Sequence, residues 1–444
     1  MKTYIKTVKL DDGNIQKYQV VSGFEWDDLK YKVPEFDEKV MIKLSNLYKE
    51  NIIPKEPLLY GILIFYKVPS TLELNLLNET EAGIIYDDTI LLNYYFQRAV
   101  DNKKVKCIKN SLIFDDENLQ RIFNTLQDLQ LVSIACGKST NIQLMPVYGK
   151  YGFMSKIKSF SLMVDSHFFL MDMSDKDSEY DLFGTPHGLV IYKNEIILPP
   201  LNHRKSLLLD NDNKVKINNI ELEDLEIIIG ELRFKNNINC KYFFRPETRI
   251  TPKTNGMDII IVNKRVVAIK LGGQSRIPMA GFALQVEKTI ELNSLNVEFF
   301  CDDNYKFAVQ VGPALMIDGI KTLEMNCPFY NGKGTPYPST VYPPNFNTSR
   351  AARIGLGELD GKPIIIWAEG AGKLGYTKGL ESCGASLGEF ANFCESKHIQ
   401  NLINLDGGGS AQLIFNNKRY LKIADRLDDK ITEDERAVPN CWVI

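Results

Sequence analysis

The 444-residue chain has only four histidines, and none of its eight cysteines falls in a CxxC pair. Cys107, Cys136, Cys240, Cys301, Cys327, Cys383, Cys394 and Cys441 are scattered, which is neither a zinc-ligand spacing nor a dense disulfide framework. They read as reduced, mostly buried thiols. The formal charge is −3, and no basic stripe with interleaved aromatics offsets it. That excludes an electrostatic footprint for nucleic acid, and Lys103-Lys104 and Arg204-Lys205 read as solvated surface. Long hydrophobic runs are missing as well. The longest, Leu58 to Tyr66, is about half of what a membrane span needs and reads as a buried strand. The N-terminal residues Met1 to Lys6 are basic but lead into no apolar segment before Asp11-Asp12, so no secretory signal is expected. The expectation is a cytoplasmic protein with no nucleic-acid and no membrane partner.

What is present is a chain long enough for several domains, with no internal repeat and no low-complexity linker. Residues 1–125 mix strand and helix patterns. Met41 to Asn51 has helical spacing, Leu58 to Val68 and part of Ile84 to Leu92 read as strands, and Asn118 to Leu129 reads as an amphipathic helix opening after Asp115-Asp116. No catalytic signature appears there. From about residue 126 strand-like runs follow one another closely: Leu131–Ala135, Ser161–Val164, Leu189–Tyr192, Ser206–Leu209, Met257–Val262, Val266–Leu271 and Phe307–Val311. Asp210–Asn213 and Asn331–Gly334 are turn signals between them. Near the end, Ile364–Ala368 reads as a buried strand. Leu387–Cys394 reads as a helix opened by a capping box of Ser386 and Glu389, and Leu402–Leu405 and Gln412–Phe415 as strands around a glycine turn. The fold class is therefore α+β: a mostly β-sheet domain with flanking helices over 126–444, preceded by a smaller α+β domain over 1–125.

The sharpest feature is Asn404-Leu405-Asp406-Gly407-Gly408-Gly409-Ser410. No GK[ST] follows and no helix pattern opens after it, so it is not a Walker loop. The glycine spacing is also wrong for a dinucleotide fingerprint. Three glycines in a row cost conformational entropy, and a plain hairpin needs only one or two. The extra glycine is useful if backbone N–H groups of Gly407, Gly408 and Gly409 approach an anion, flanked by the Asp406 carboxylate and the Ser410 hydroxyl. The alternative is a loose hairpin capped by Asp406.

In its context this segment resembles the phosphodiester glycosidase family. Ile403 to Ala411 looks like the family's glycine hallmark. Arg353-Ile354-Gly355, the turn Asp360-Gly361, the strand ending at Glu369-Gly370, and Gly384, Leu387, Glu389 and Ala391 follow its pattern. So does Glu435-Arg436-Ala437-Val438 near the end. Gly312 to Gly319 and Val164 to Phe169 are similar to two earlier motifs, which places the resemblance over roughly residues 130–444. Asp165 stands where the family has Asn, Ser166-His167 replace two glycines, Glu369 replaces Asp, and Ala437 replaces Pro.

The resemblance implies a hydrolase that cleaves the glycosidic bond of a sugar-1-phosphate diester, of N-acetylglucosamine for example, in a nucleotide sugar, a phosphoglycan or a nucleotide-derived small molecule, releasing free sugar and a phosphomonoester. The partner is then a small-molecule or glycan substrate carrying a phosphodiester. Its leaving group is already a weak base, so the reaction calls for stabilisation of the phosphate and a carboxylate for an oxocarbenium-like carbon. Asp406 is the expected essential carboxylate, with Asp165 or Glu369 as the second and His167 as a donor or acid. Arg353 and Arg436 are the expected phosphate ligands, completed by Gly407, Gly408, Gly409 and Ser410. No spacing demands a cofactor, although Asp302-Asp303, Asp165 and Glu369 offer hard oxygen ligands for a divalent cation. The altered Asp165-Ser166-His167 segment leaves a second expectation: a module that binds a phosphorylated ligand without turnover.

Overall fold

The computed structural model describes residues 1–33, four strands between residues 105 and 146, and residues 154–444 apart from 158, 171–177, 179, 182–184, 246, 323–345, 427–434 and 437. The patterns over Met41–Asn51, Leu58–Val68, Ile84–Leu92, Asn118–Leu129 and Asn331–Gly334 lie outside these residues. The remaining predicted strands form close to where their period-2 patterns put them.

The described chain is mostly antiparallel sheet. A seven-stranded sheet runs in the order Lys2–Lys9, Ile15–Ser22, Lys362–Ala368, Arg353–Leu359, Asn401–Asn404, Ala314–Ile317, Ile320–Lys321. A four-stranded sheet orders Leu413–Phe415, Leu162–Asp165, Cys441–Val443 and Lys30–Lys32. A five-stranded sheet centred on Tyr305–Val309, a three-stranded sheet centred on Leu225–Ile229 and a second four-stranded sheet around Lys253–Val262 complete the body. Two hairpins, Val105–Phe114 and Val132–Pro146, stand apart from these sheets.

Alternation decides which face each sheet buries. In Lys362–Ala368, Ile365 and Trp367 enter one core with Ile354, Leu356 and Ile403, where they meet Trp442, Val164, Leu413 and Phe307 of the neighbouring sheets. The other face, Ile364, Ile366 and Ala368, packs with Leu402 against Leu387, Phe390 and Phe393 of the helix Leu387–Glu395. Each fully buried aliphatic or aromatic side chain of this kind contributes roughly 1.5–3 kcal/mol of transfer free energy. The helix opens as expected: the Ser386 hydroxyl accepts from the Glu389 amide at 3.2 Å, and the Glu389 carboxylate accepts from the Ser386 amide at 2.9 Å. It is the one α-helix among the described residues, so the expected flanking helices reduce here to a single one. A second core joins the five-stranded sheet to the two sheets of residues 225–301 through Leu208, Ile227, Ile259 and Phe282.

The turns follow their chemistry. Asp360-Gly361, with φ of 52° and 77°, is a two-residue turn with both residues left-handed, closing Leu359 onto Lys362. Asp318-Gly319, at 49° and 78°, does the same for Ile317 and Ile320.

Residues 1–33 differ from the organisation expected for a separate domain over 1–125. Tyr18 to Val21 pair with Ala368 to Ile365 in the large sheet, and Lys30 to Lys32 pair with Val443 to Cys441. Tyr18 stacks on Phe393 with ring centroids 3.8 Å apart, and its hydroxyl donates to Gln16 Oε1 at 2.6 Å. The reason lies in Ile15–Ser22: Ile15, Tyr18, Val20 and Val21 are apolar or aromatic, Gln16 and Lys17 find partners in the body, and six of the eight positions are buried.

Candidate active site

The glycine segment is not a hairpin. Asn401–Asn404 belongs to the seven-stranded sheet and Leu413–Phe415 to the four-stranded one, so Asp406–Ser410 is the crossover between them, with a single 3-10 turn over Gly408–Ser410. Asn404 anchors the entry: its Nδ2 donates to the Gly312 carbonyl at 3.1 Å and the Leu405 carbonyl at 2.7 Å. The Asp406 amide then donates to the Ser166 carbonyl at 2.9 Å. That bond sets the crossover beside the end of Leu162–Asp165, the strand next to Leu413–Phe415.

Each glycine has its own reason. A Cβ on Gly407 would stand 2.8 Å from the Ala352 carbonyl oxygen. Gly408 has φ of +59°, where side chains are strained. A Cβ on Gly409 would overlap the Arg436 guanidinium and the Asp425 carboxylate that pack on it. The expected anion cradle of backbone amides is not what they form. The Gly407 amide donates to Asp406 Oδ1 at 2.7 Å and the Gly408 amide to the Ala352 carbonyl, beside the strand Arg353–Leu359, at 2.9 Å, so both are already spent.

Two carboxyls meet at this crossover. Asp165 is fully buried, and Asp406 is 6% exposed. Burial pushes the Asp165 carboxyl well above the usual carboxylate range, and the Asp406 charge pushes it further. Burial also raises Asp406, to about 7, against the pull of the Ser410 hydroxyl, Arg436, the Gly407 amide and Arg353. Both Asp165 oxygens and Asp406 Oδ2 lack a hydrogen-bond partner although buried. Other buried polar atoms, the Trp367 and Trp442 indole nitrogens among them, share this condition, so what sets this place apart is the meeting of two carboxyls.

The two arginines have different tasks. Arg436 is 28% exposed at its side chain and turns Nε and Nη2 onto Asp425 Oδ2 at 2.8 and 2.7 Å, with Nη1 3.4 Å from Ser410 Oγ. It faces Asp406 and Asp165 electrostatically as well. Arg353 is buried. Its Nε donates to the Ala385 carbonyl at 3.1 Å, its Nη2 to the carbonyls of Phe346 and Ser349 at 2.8 Å each, and its guanidinium lies 4.7 Å from the Phe346 ring centre. Burial lowers it to about 10, which leaves it charged at neutral pH. Its Nε and Nη2 are therefore committed to backbone carbonyls, and it acts on Asp406 through its charge.

Two other expected residues stand differently. Glu369 accepts from the Lys422 amide at 3.0 Å and faces Lys17 Nζ at 3.9 Å, which ties the N-terminal hairpin to residues 421–426. His167 is fully buried: its Nδ1 lies 2.7 Å from Ser166 Oγ and its Nε2 3.3 Å from the Leu189 carbonyl. Burial lowers it to about 4. With both nitrogens engaged in the core and no charge at neutral pH, His167 is a packing residue here and not an acid facing the crossover. Ala437 lies outside the described residues. Asp302 stands by Lys235 at 3.9 Å, and no group of three or more His, Cys, Asp or Glu side chains gathers among the described residues. Sequence reasoning passed over Asp425, which orients Arg436 from within a run of charged residues that resembles ordinary surface.

The family model of phosphodiester glycosidases matches residues 236–444, a narrower span than the motifs suggested, with Asp165 to His167 ahead of it. None of the curated proteins matches the chain. Among solved structures, a protein from Synechocystis is 12% identical with a TM-score of 0.41, covering 99% of this chain and 61% of its own, so this chain spans about three fifths of it. A Burkholderia pseudomallei protein is 12% identical with a TM-score of 0.42, covering 100% of this chain and 96% of its own. The catalytic domain of zebrafish N-acetylglucosamine-1-phosphodiester alpha-N-acetylglucosaminidase, auto-inhibited by its pro-peptide, is 12% identical with a TM-score of 0.31, covering 70% and 81%. Residues 236–444, with the glycine crossover and Arg436 among them, are thus the part of the chain that is similar to the phosphodiester glycosidase family.

Proposed function

We propose that the chain hydrolyses the glycosidic bond of a sugar-1-phosphate diester at the Asp406 crossover, releasing free sugar and a phosphomonoester. The observation that carries this is the pair of buried carboxyls with raised proton affinity beside one partly exposed guanidinium. Their environments divide the work. Asp165, deeper and with the Asp406 charge beside it, keeps its proton. Asp406, surrounded by Arg353, Arg436, Ser410 and the Gly407 amide, is the one that ionises first and meets the sugar carbon, either directly or through a water. The departing phosphate takes the Ser410 hydroxyl and Arg436, which Asp425 holds in place.

The test is a panel of sugar-1-phosphate diesters, UDP-N-acetylglucosamine included, incubated in ¹⁸O-water with the wild type and Asp406→Asn and read by mass spectrometry. Free sugar carrying the label is expected. The variant should lose about 10³-fold or more of the rate, since it removes a charge that acts at the transition state. Label on the phosphate would instead mean attack at phosphorus. A ligand that raises the thermal midpoint without any sugar release would favour a binding module.

A further inference from the structure

Glu435 and Arg436 lie outside every described strand and helix, so no sheet ladder sets their place. A guanidinium that takes a phosphate needs its main chain fixed as well as its fork, because a displacement of about 1 Å at a reacting site costs on the order of 10²-fold. Asp425 fixes the fork. The main chain is held from another direction. Gln412, which is fully buried, donates through Nε2 to the Arg436 carbonyl at 2.8 Å and accepts at Oε1 from Arg419 Nη2 at 3.1 Å. Arg419 Nη2 also lies 3.0 Å from Glu435 Oε2, and Glu435 Oε1 accepts from the Ser155 amide at 2.9 Å. Gln412 and Arg419 thus grip two successive residues, Glu435 by its carboxylate and Arg436 by its carbonyl.

The same glutamine reaches the buried acids. Its own carbonyl accepts from the Asp165 amide at 3.1 Å. It also stands two residues beyond Ser410, whose Oγ is 3.4 Å from Arg436 Nη1. One residue therefore carries a main-chain tie to the acid that keeps its proton and a side-chain tie to the cation that takes the phosphate. Packing does not call for an amide here. Ala411 and Leu413 on either side are fully buried core residues, and burying an amide among them costs free energy unless both of its ends are engaged. Both ends are engaged, and one of them is spent on Arg436.

We infer that Gln412 is a positioning residue, which sets the offset between the Arg436 guanidinium and the Asp165–Asp406 pair. This rests on the reading of Arg436 as the phosphate ligand.

The test titrates inorganic phosphate by calorimetry against the full chain as wild type, Gln412→Met, Gln412→Glu and Arg436→Ala, with thermal midpoints to confirm that each is folded. Met keeps the volume and has no donor, whereas Glu lacks the donor but keeps an acceptor for Arg419. Both Gln412 variants should weaken phosphate about fivefold, the scale of one neutral hydrogen bond, and Arg436→Ala should weaken it further. Unchanged affinity in Gln412→Met, with Arg436→Ala weakened, overturns the inference and leaves the reading of Arg436 standing. Wild-type affinity in Gln412→Glu overturns it too, since the amide would then serve Arg419 alone. Wild-type affinity in Arg436→Ala, or no phosphate binding by the wild type, removes the reading of Arg436 and the inference with it, while the ¹⁸O experiment judges the glycosidase reading by itself. A second readout is one that simple loosening of the fold would not move. The Arg436 charge holds Asp406 down, so on the diester that the panel selects Gln412→Met should shift the acid limb of the pH–rate profile to higher pH. A limb that stays in place overturns the inference.

Discussion

Two fully buried aspartates show opposite uses of the same side chain. Asp258, in the middle of Lys253–Val262, accepts from the Thr251 hydroxyl and from Gln285 Nε2 at 2.7 Å, and Thr251 in turn accepts from the Ser275 amide at 2.9 Å. Asp165 has the same burial and no hydrogen-bond partner on either oxygen. A buried carboxylate with its lone pairs satisfied holds a sheet together, whereas one left without partners costs the fold free energy and is retained for another reason. Burial alone therefore does not mark a functional acid. Burial without partners, beside a second raised carboxyl, does.

Exchanging the two acids for inert residues should separate them most sharply in activity. Asp165→Ala is expected to lower sugar release by about 10²–10⁴-fold, the usual contribution of a positioned proton donor; Asn, which the phosphodiester glycosidase pattern carries at this position, is not the exchange that tests it. Asp258→Ala should leave the rate of the folded protein within about threefold of wild type. Steady-state kinetics on the diester that the panel selects measures both, and equal losses in the two variants would remove the distinction. Stability should run the other way. Asp258→Ala strands the Thr251 hydroxyl and the Gln285 amide in the interior, a loss of about 2–3 kcal/mol, visible as a lower urea midpoint. Asp165→Asn strands nothing that was paired.

The sequence revealed the two regions unequally. Strand alternation, the Ser386–Glu389 box and the Asp-Gly turns are local rules, and they placed nine of the twenty described strands of residues 154–444 and the one α-helix there. The glycine segment was visible for the same reason. Its role was not: whether Gly407 and Gly408 amides face an anion or their own loop depends on Ala352, which arrives from another strand. Arg353 and Arg436 look alike in sequence, and only the carbonyls of Phe346, Ser349 and Ala385 around one, and Asp425 against the other, tell them apart. The N-terminal hairpin was misassigned because its partner strand lies more than three hundred residues later, at Ile365–Ala368. Such pairings leave no mark on local pattern.

The smallest effect is the most specific to the comparison. Asp165 and Asp406 both have proton affinities raised by folding, so between pH about 4, where a free aspartate titrates, and the raised value of about 7 for Asp406, the folded state binds more protons than the unfolded one. Stability must then fall as pH rises through that window. Asn at 165 does not titrate, and without the Asp165 carboxyl beside it Asp406 ionises more easily. Asp165→Asn should therefore show a shallower decline of thermal midpoint from pH 5 to pH 8 and exceed the wild type at pH 8. A parallel decline in wild type and Asp165→Asn would mean that the Asp165 carboxyl is ionised in the folded protein at neutral pH, and the division of labour between it and Asp406 would have to be reversed.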